Sequence, residues 1–147
     1  MKIDILCAGH NPEPHEARWI AEYCARAKKY APVSLTRIRE RDPNRTWIEI
    51  EKKIPKAAFR IVLDDRGESL STEEFARLLD RPARKGKKSL AFVIGGSYGL
   101  PDGARESADA RVSLSPLTLP YRLALLVLCE QIYRVLSWRA GAPYHHE

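Results

Sequence analysis

The side chains best suited to chemistry in this 147-residue chain stand at its end, where Tyr144, His145, His146 and Glu147 gather an aromatic ring, imidazoles and a carboxylate. They follow a long apolar helix directly, so the tail is anchored and can face a substrate. A frayed, inert terminus is the competing reading, since last residues commonly end that way. Within the helix, Arg134 can stabilise a developing anion or pair with Glu130 one turn earlier.

Two irregular loops, Gly95-Gly96-Ser97-Tyr98-Gly99 and Ser115-Pro116-Leu117-Thr118-Leu119-Pro120, each follow an expected strand and lead into a helix. Ligands of open α/β sheets bind outside the carboxyl ends of the strands. Both loops therefore fall where a small molecule would sit, in a pocket built mainly of backbone. The glycine loop is not a P-loop, because no Gly-Lys-Ser/Thr follows, and its spacing is not the dinucleotide fingerprint. A tight turn explains the glycines equally well, and a plain connection explains the prolines. His10 and His15 lack metalloprotease spacing and no nucleophile elbow appears, so no metal is expected.

The elements that must position these groups read clearly. Lys2–Ala8 is apolar at nearly every position after Lys2 and suits a strand covered on both faces. Glu13–Lys29 repeats Ala17, Ile20, Ala21, Cys24 and Ala27 with helical spacing. Val33–Arg39 is a second strand. Asn44 can cap a helix through Ile54, stopped by Pro55. Phe59–Leu63 is a third strand, closed by Asp64-Asp65-Arg66-Gly67. Ser71 to Glu74 fits a capping box for a helix ending before Pro82. Ser89–Ile94 is the fourth strand, and a small helix and strand precede the proline loop. Alternation of this kind implies one α/β domain over residues 1–147, a mostly parallel sheet with helices on both faces. The final helix, from about Pro120 to Arg139, is apolar around almost its whole circumference. The sheet can cover one face, so a homodimer through this helix is expected.

Composition sets the partners. A hydrophobic fraction of 44% and a charged fraction of 30% are those of a soluble globular protein. The net charge of +6 favours a polyanionic partner. Arg37, Arg39, Arg41 and Arg45 form the densest basic cluster and Arg84–Lys88 a second; each is an RNA-phosphate contact or a solvated loop. The three cysteines, Cys7, Cys24 and Cys129, lie among apolar residues and read as buried thiols of a reducing compartment. No signal peptide begins the chain and no run approaches the ~20 residues of a membrane span, so a cytoplasmic location and no membrane contact are expected.

Phe92-Val93-Ile94-Gly95-Gly96, Ser113-Leu114-Ser115, Leu117-Thr118-Leu119, Glu130-Gln131-Ile132-Tyr133-Arg134 and Tyr144-His145, in this order and spacing, resemble the SPOUT-class methyltransferases. Within that class the chain is similar over essentially its whole length to the bacterial large-subunit (23S) ribosomal RNA pseudouridine N3-methyltransferases. The resemblance implies a C-terminal trefoil knot and S-adenosylmethionine as methyl donor. The donor would be held by Leu63, Gly96, Ser115, Pro116, Leu117, Thr118, Leu119 and Pro120. It also implies a homodimer acting on helix 69 of ribosomal RNA in the assembled 70S ribosome. His145 would then serve as general base for the imide N3, Tyr144 would stack on or orient the base, and Arg134 would stabilise the uracil anion. Three positions depart from the family: Tyr121 stands where His is common, Leu125 where a basic residue is frequent, and His146 where some members carry Arg. A proton-transfer role is therefore not carried to Tyr121, which with Arg122 can contact RNA instead. The competing classes are a non-catalytic ribosome- or RNA-binding assembly module and a nucleotide-dependent enzyme on a plain Rossmann-like sheet.

Overall fold

A strand without polar alternation needs cover on both faces, and β1 (Lys2–Ala8) lies inside a five-stranded sheet with six of its seven residues buried. The computed structural model describes residues 1–146. After β1 come α1 (Pro14–Ala27), β2 (Val33–Ile38), α2 (Pro43–Lys53), β3 (Phe59–Ser69), α3 (Thr72–Leu78) and α4 (Arg81–Arg84). They are followed by β4 (Ser89–Ile94), α5 (Asp102–Glu106), β5 (Ala110–Ser113) and α6 (Tyr121–Arg139). The strands run β2-β1-β4-β3-β5, and every pairing is parallel. One apolar cluster joins the sheet to α1, α3 and α6, and a second joins it to α2 and α5. Both faces are thus covered, as expected.

Local chemistry places most boundaries. Ser71 and Glu74 form the reciprocal capping box, the Ser71 hydroxyl accepting from the Glu74 amide at 3.2 Å and the Glu74 carboxylate from the Ser71 amide at 2.7 Å. The cap of α2 is Asp42 rather than Asn44: its carboxylate accepts from the Arg45 amide at 2.9 Å and Pro43 occupies the first turn. Proline has no amide to satisfy there, which shifts the helix start two residues back. α3 stops at Leu78 with Leu79 as its cap, and Pro82 sits in the first turn of the short α4, so Arg84 closes that helix rather than opening a loop.

β3 overturns a turn assignment. Asp64 to Gly67 do not end the strand; the pairing with β5 shifts by a bulge after Leu63 and resumes at Glu68 opposite Val112 and Ser69 opposite Ser113. Gly67 makes this possible, because a Cβ there would lie 2.7 Å from the Arg111 carbonyl carbon and the Val112 nitrogen. Those are backbone atoms and cannot swing away. Gly67→Ala is therefore expected to lower unfolding stability by about 1–3 kcal/mol, the usual cost of overpacking, which urea titration would measure. An unchanged midpoint would show that the bulge adapts.

α6 is covered on more than one side. Leu125, Leu128, Cys129, Ile132 and Val135 are buried on the sheet, while α1 lies along its flank. The Cys24 and Cys129 sulfurs meet there at 3.7 Å. The sheet was expected to be the sole cover; α1 narrows the outward apolar strip to Leu123, 44% exposed, and half-buried Val127. All three cysteines are buried free thiols, and burial pushes the Cys7 thiol up to about 11. None of the described helices is long and apolar enough to cross a membrane.

Candidate active site

The carboxyl ends of β3, β4 and β5 enclose a cavity of about 730 Å³. Leu63, Gly96, Ser115, Leu117, Thr118, Leu119 and Pro120 all line it; Pro116 is exposed and does not. Both loops named from the sequence therefore face one space. The proline loop is held by its own hydroxyls, Ser113 donating to the Ser115 carbonyl at 2.8 Å and the Leu117 amide donating to the Ser115 hydroxyl at 2.9 Å. In the glycine loop the Gly99 amide donates to the Gly96 carbonyl at 2.9 Å, with Gly99 at φ +74°. A Cβ at Gly95 would lie 2.9 Å from Leu100 Cγ and 3.0 Å from the Gly99 carbonyl carbon, so the turn requires glycine there. Gly96 differs: a Cβ would meet nothing nearer than Ala8 at 3.6 Å.

Three lining features were not read from the sequence. Asp64 is buried, and Arg105 donates to its carboxylate at 3.1 Å. Burial alone would raise this carboxyl, but the Arg66 amide and Arg105 guanidinium outweigh it and hold it below the usual range. An acidic residue directly after the apolar run of β3 was the available signal. Arg105 also donates to the Leu100 carbonyl at 2.9 Å, tying α5 to the glycine loop. The third feature is the seat of Tyr121. Its hydroxyl accepts from the His10 amide at 3.2 Å, and its ring lies against Gly9, where a Cβ would come within 2.4 Å of the ring. Arg122 pairs with Glu16 at 3.5 Å.

Arg134, Tyr144 and His145 meet one another but lie elsewhere. Glu130 Oε1 accepts from Arg134 Nε at 3.0 Å, Arg134 Nη2 at 2.7 Å and the Tyr144 hydroxyl at 2.9 Å. Arg134 Nη1 stands 3.3 Å from His145 Nδ1, and its guanidinium lies 4.7 Å from the Tyr144 ring centre. Tyr133 packs on Tyr144 and Trp138 on His145, each pair with centroids 4.5 Å apart. The ion pair and the tail contact are thus made by the same arginine. Burial, with the neighbouring Tyr23 hydroxyl and Glu130 carboxylate, pushes the Tyr144 phenol upward, so it is a donor at neutral pH. Of the described residues none in this trio lines the cavity, and Ala124, which does, precedes Arg134 by about 15 Å along the helix at ~1.5 Å per residue. His146 is exposed, and the Glu147 carboxylate lies outside the described residues.

The fold is shared with solved proteins. A probable methyltransferase from Bordetella pertussis Tohama I superposes with a TM-score of 0.60 at 14% identity, covering 92% of this chain and 96% of that one. A probable methylase family protein from Haemophilus influenzae Rd KW20 gives 0.58 at 10% identity, covering 99% and 70% respectively. At such identities the likeness shows the fold. The family model described as "Predicted SPOUT methyltransferase" matches residues 1–145, and the chain belongs to that family. Among its relatives, "Ribosomal RNA large subunit methyltransferase H" of Thermus thermophilus is 43% identical, over 99% of this chain and 98% of its own. The protein of the same name from Syntrophotalea carbinolica is 37% identical, over 99% of both.

Proposed function

We propose that this chain transfers a methyl group from S-adenosylmethionine to large-subunit (23S) ribosomal RNA in the cytoplasm. In this reading it works as a homodimer, and its acceptor is N3 of a pseudouridine in helix 69 of the assembled 70S ribosome. The observation that carries it is the single cavity shared by the two loops, in a chain whose relatives are named ribosomal RNA large subunit methyltransferases. The cavity fits the donor: its volume lies in the range of small-molecule sites, and its lining joins apolar side chains such as Leu63, Leu117 and Leu119 to the loop glycines and to polar groups at Asp64, Asp65 and Arg105. Leu63, Ser115 and Leu117 to Pro120 would hold the adenosyl part, and the loops around them would form the family's knot.

S-adenosylmethionine supplies an already electrophilic methyl group. The chain must align the acceptor, exclude water and take the imide proton. His145 is the base in this reading. In its neutral form the ring nitrogen facing a guanidinium keeps its lone pair, so Nδ1 is the basic atom and Arg134 must release it for proton transfer. Tyr144, kept as a phenol, orients the base and does not compete for its proton. Because the tail cluster sits about 15 Å along α6 from the cavity wall, the reacting centre is best completed by the tail of the partner subunit. Leu123 and Val127 supply apolar surface for that contact.

Calorimetry with S-adenosylmethionine, S-adenosylhomocysteine, NAD and ATP tests the donor; binding of the first two alone is expected. Ribosome binding without donor binding would favour the non-catalytic assembly module. His145→Ala is expected to slow single-turnover methylation of ribosomes by about 10²–10⁴-fold while ribosome binding persists. Wild-type turnover in that variant would remove His145 from the base role.

A further inference from the structure

Beside the cofactor cavity, across the Gly96–Gly99 turn and the Tyr121 ring, lies a second, shallow cleft at the carboxyl ends of β1, β2 and β4. His10, Arg39, Arg41 and Tyr98 line it, and its volume of about 40 Å³ encloses no nucleotide, so it acts as a surface. Tyr98 is 76% exposed and is not part of the cofactor cavity's lining. The turn beneath it is closed by the Gly99 amide on the Gly96 carbonyl at 2.9 Å, which projects the ring into solvent from a fixed base. Among the described residues Arg41 makes no ion pair, and the Arg39 side chain donates to Asn11 Oδ1 at 3.1 Å and pairs with no carboxylate. The one carboxylate in the lining, Glu40, accepts from the Arg41 and Asp42 amides at 3.0 and 3.4 Å. The arginine guanidiniums are left for another anion.

We infer that Tyr98 is a stacking platform for an unpaired RNA base and that Arg39 and Arg41 hold the adjoining phosphates. The inference rests on the reading that this chain acts on RNA, and it adds where the strand leaves the cavity. Single-stranded RNA is recognised by bases stacked on exposed aromatic rings, flanked by cations that follow the backbone. A duplex would offer the ring no base face. The second basic cluster, Arg84–Lys88, precedes β4 and stands at the opposite end of the sheet, so it takes no part.

The test uses the full chain and intact ribosomes, with methyl transfer and cosedimentation followed in parallel. Tyr98→Ala is expected to raise KM for ribosomes roughly tenfold, in keeping with the loss of one stacked base, with kcat and S-adenosylmethionine affinity unchanged. Tyr98→Phe, which keeps the ring, should restore KM. Replacing Arg39 and Arg41 together by Gln should flatten the salt dependence of binding by about two phosphate contacts. An unchanged KM in Tyr98→Ala would overturn the inference. So would a rise in KM accompanied by loss of the dimer, since Tyr98 would then be a subunit contact. The two readings fail separately. A wild type that binds ribosomes through Tyr98 without methylating them refutes the enzyme and sustains the platform; wild-type turnover unaffected by Tyr98→Ala does the reverse.

Discussion

Gly95→Ala is expected to weaken S-adenosylmethionine binding by about 5- to 150-fold, because about 1–3 kcal/mol of overpacking strain falls on the loop that walls the cavity. The added Cβ meets Leu100 Cγ at 2.9 Å and the Gly99 carbonyl carbon at 3.0 Å. Leu100 can shift; the backbone of Gly99 cannot move without opening the turn that carries Gly96. The same strain should lower stability by a similar amount, out of the ~5–15 kcal/mol typical of a domain, so the variant still folds. Gly96→Ala is the internal control. Its Cβ would rest at ordinary contact distance, 3.6 Å from Ala8, and a glycine that lines a cavity does so with main-chain atoms alone. Stability and donor affinity should both survive there. Calorimetry and urea titration on the two variants decide the matter: equal behaviour would mean that Gly95 does not set the loop.

Mixing two impaired variants should restore activity. If one subunit supplies the cavity and the other the tail, Gly95→Ala dimers assayed below donor saturation and His145→Ala dimers each fall well short of wild type, but a mixed dimer holds one intact pair. The purified mixed dimer, with one working site of its two, then returns roughly half of wild-type turnover. Coexpression with two tags and methylation of ribosomes by the doubly purified species would measure it. No recovery above the sum of the parents would mean that each subunit completes its own site, against the separation of about 15 Å along α6.

Much of this molecule was legible because the deciding interactions are local. Five apolar residues among the six after Lys2, interrupted only by Asp4, demand an interior strand, Ser71 finds its partner three residues away, and Pro55 and Gly141 bound helices through their own backbone preferences. The ordered motifs from Phe92 to His145 carried the family, since they record its site as a string. What tertiary structure alone decided depends on partners far off in sequence. β3 passes through Asp64-Asp65-Arg66-Gly67 because β5 offers a ladder beyond the bulge, and a turn signal cannot weigh a strand that begins more than forty residues later. Tyr121, a departure from the family pattern, has its role set by Gly9, whose bare backbone at φ +116° admits the ring. The gap between the cavity and the tail is set by the rise of the helix from Pro120 to Arg139, which the sequence already implied; what only the tertiary structure decided is that the tail folds back onto Glu130 and Arg134, away from the cavity.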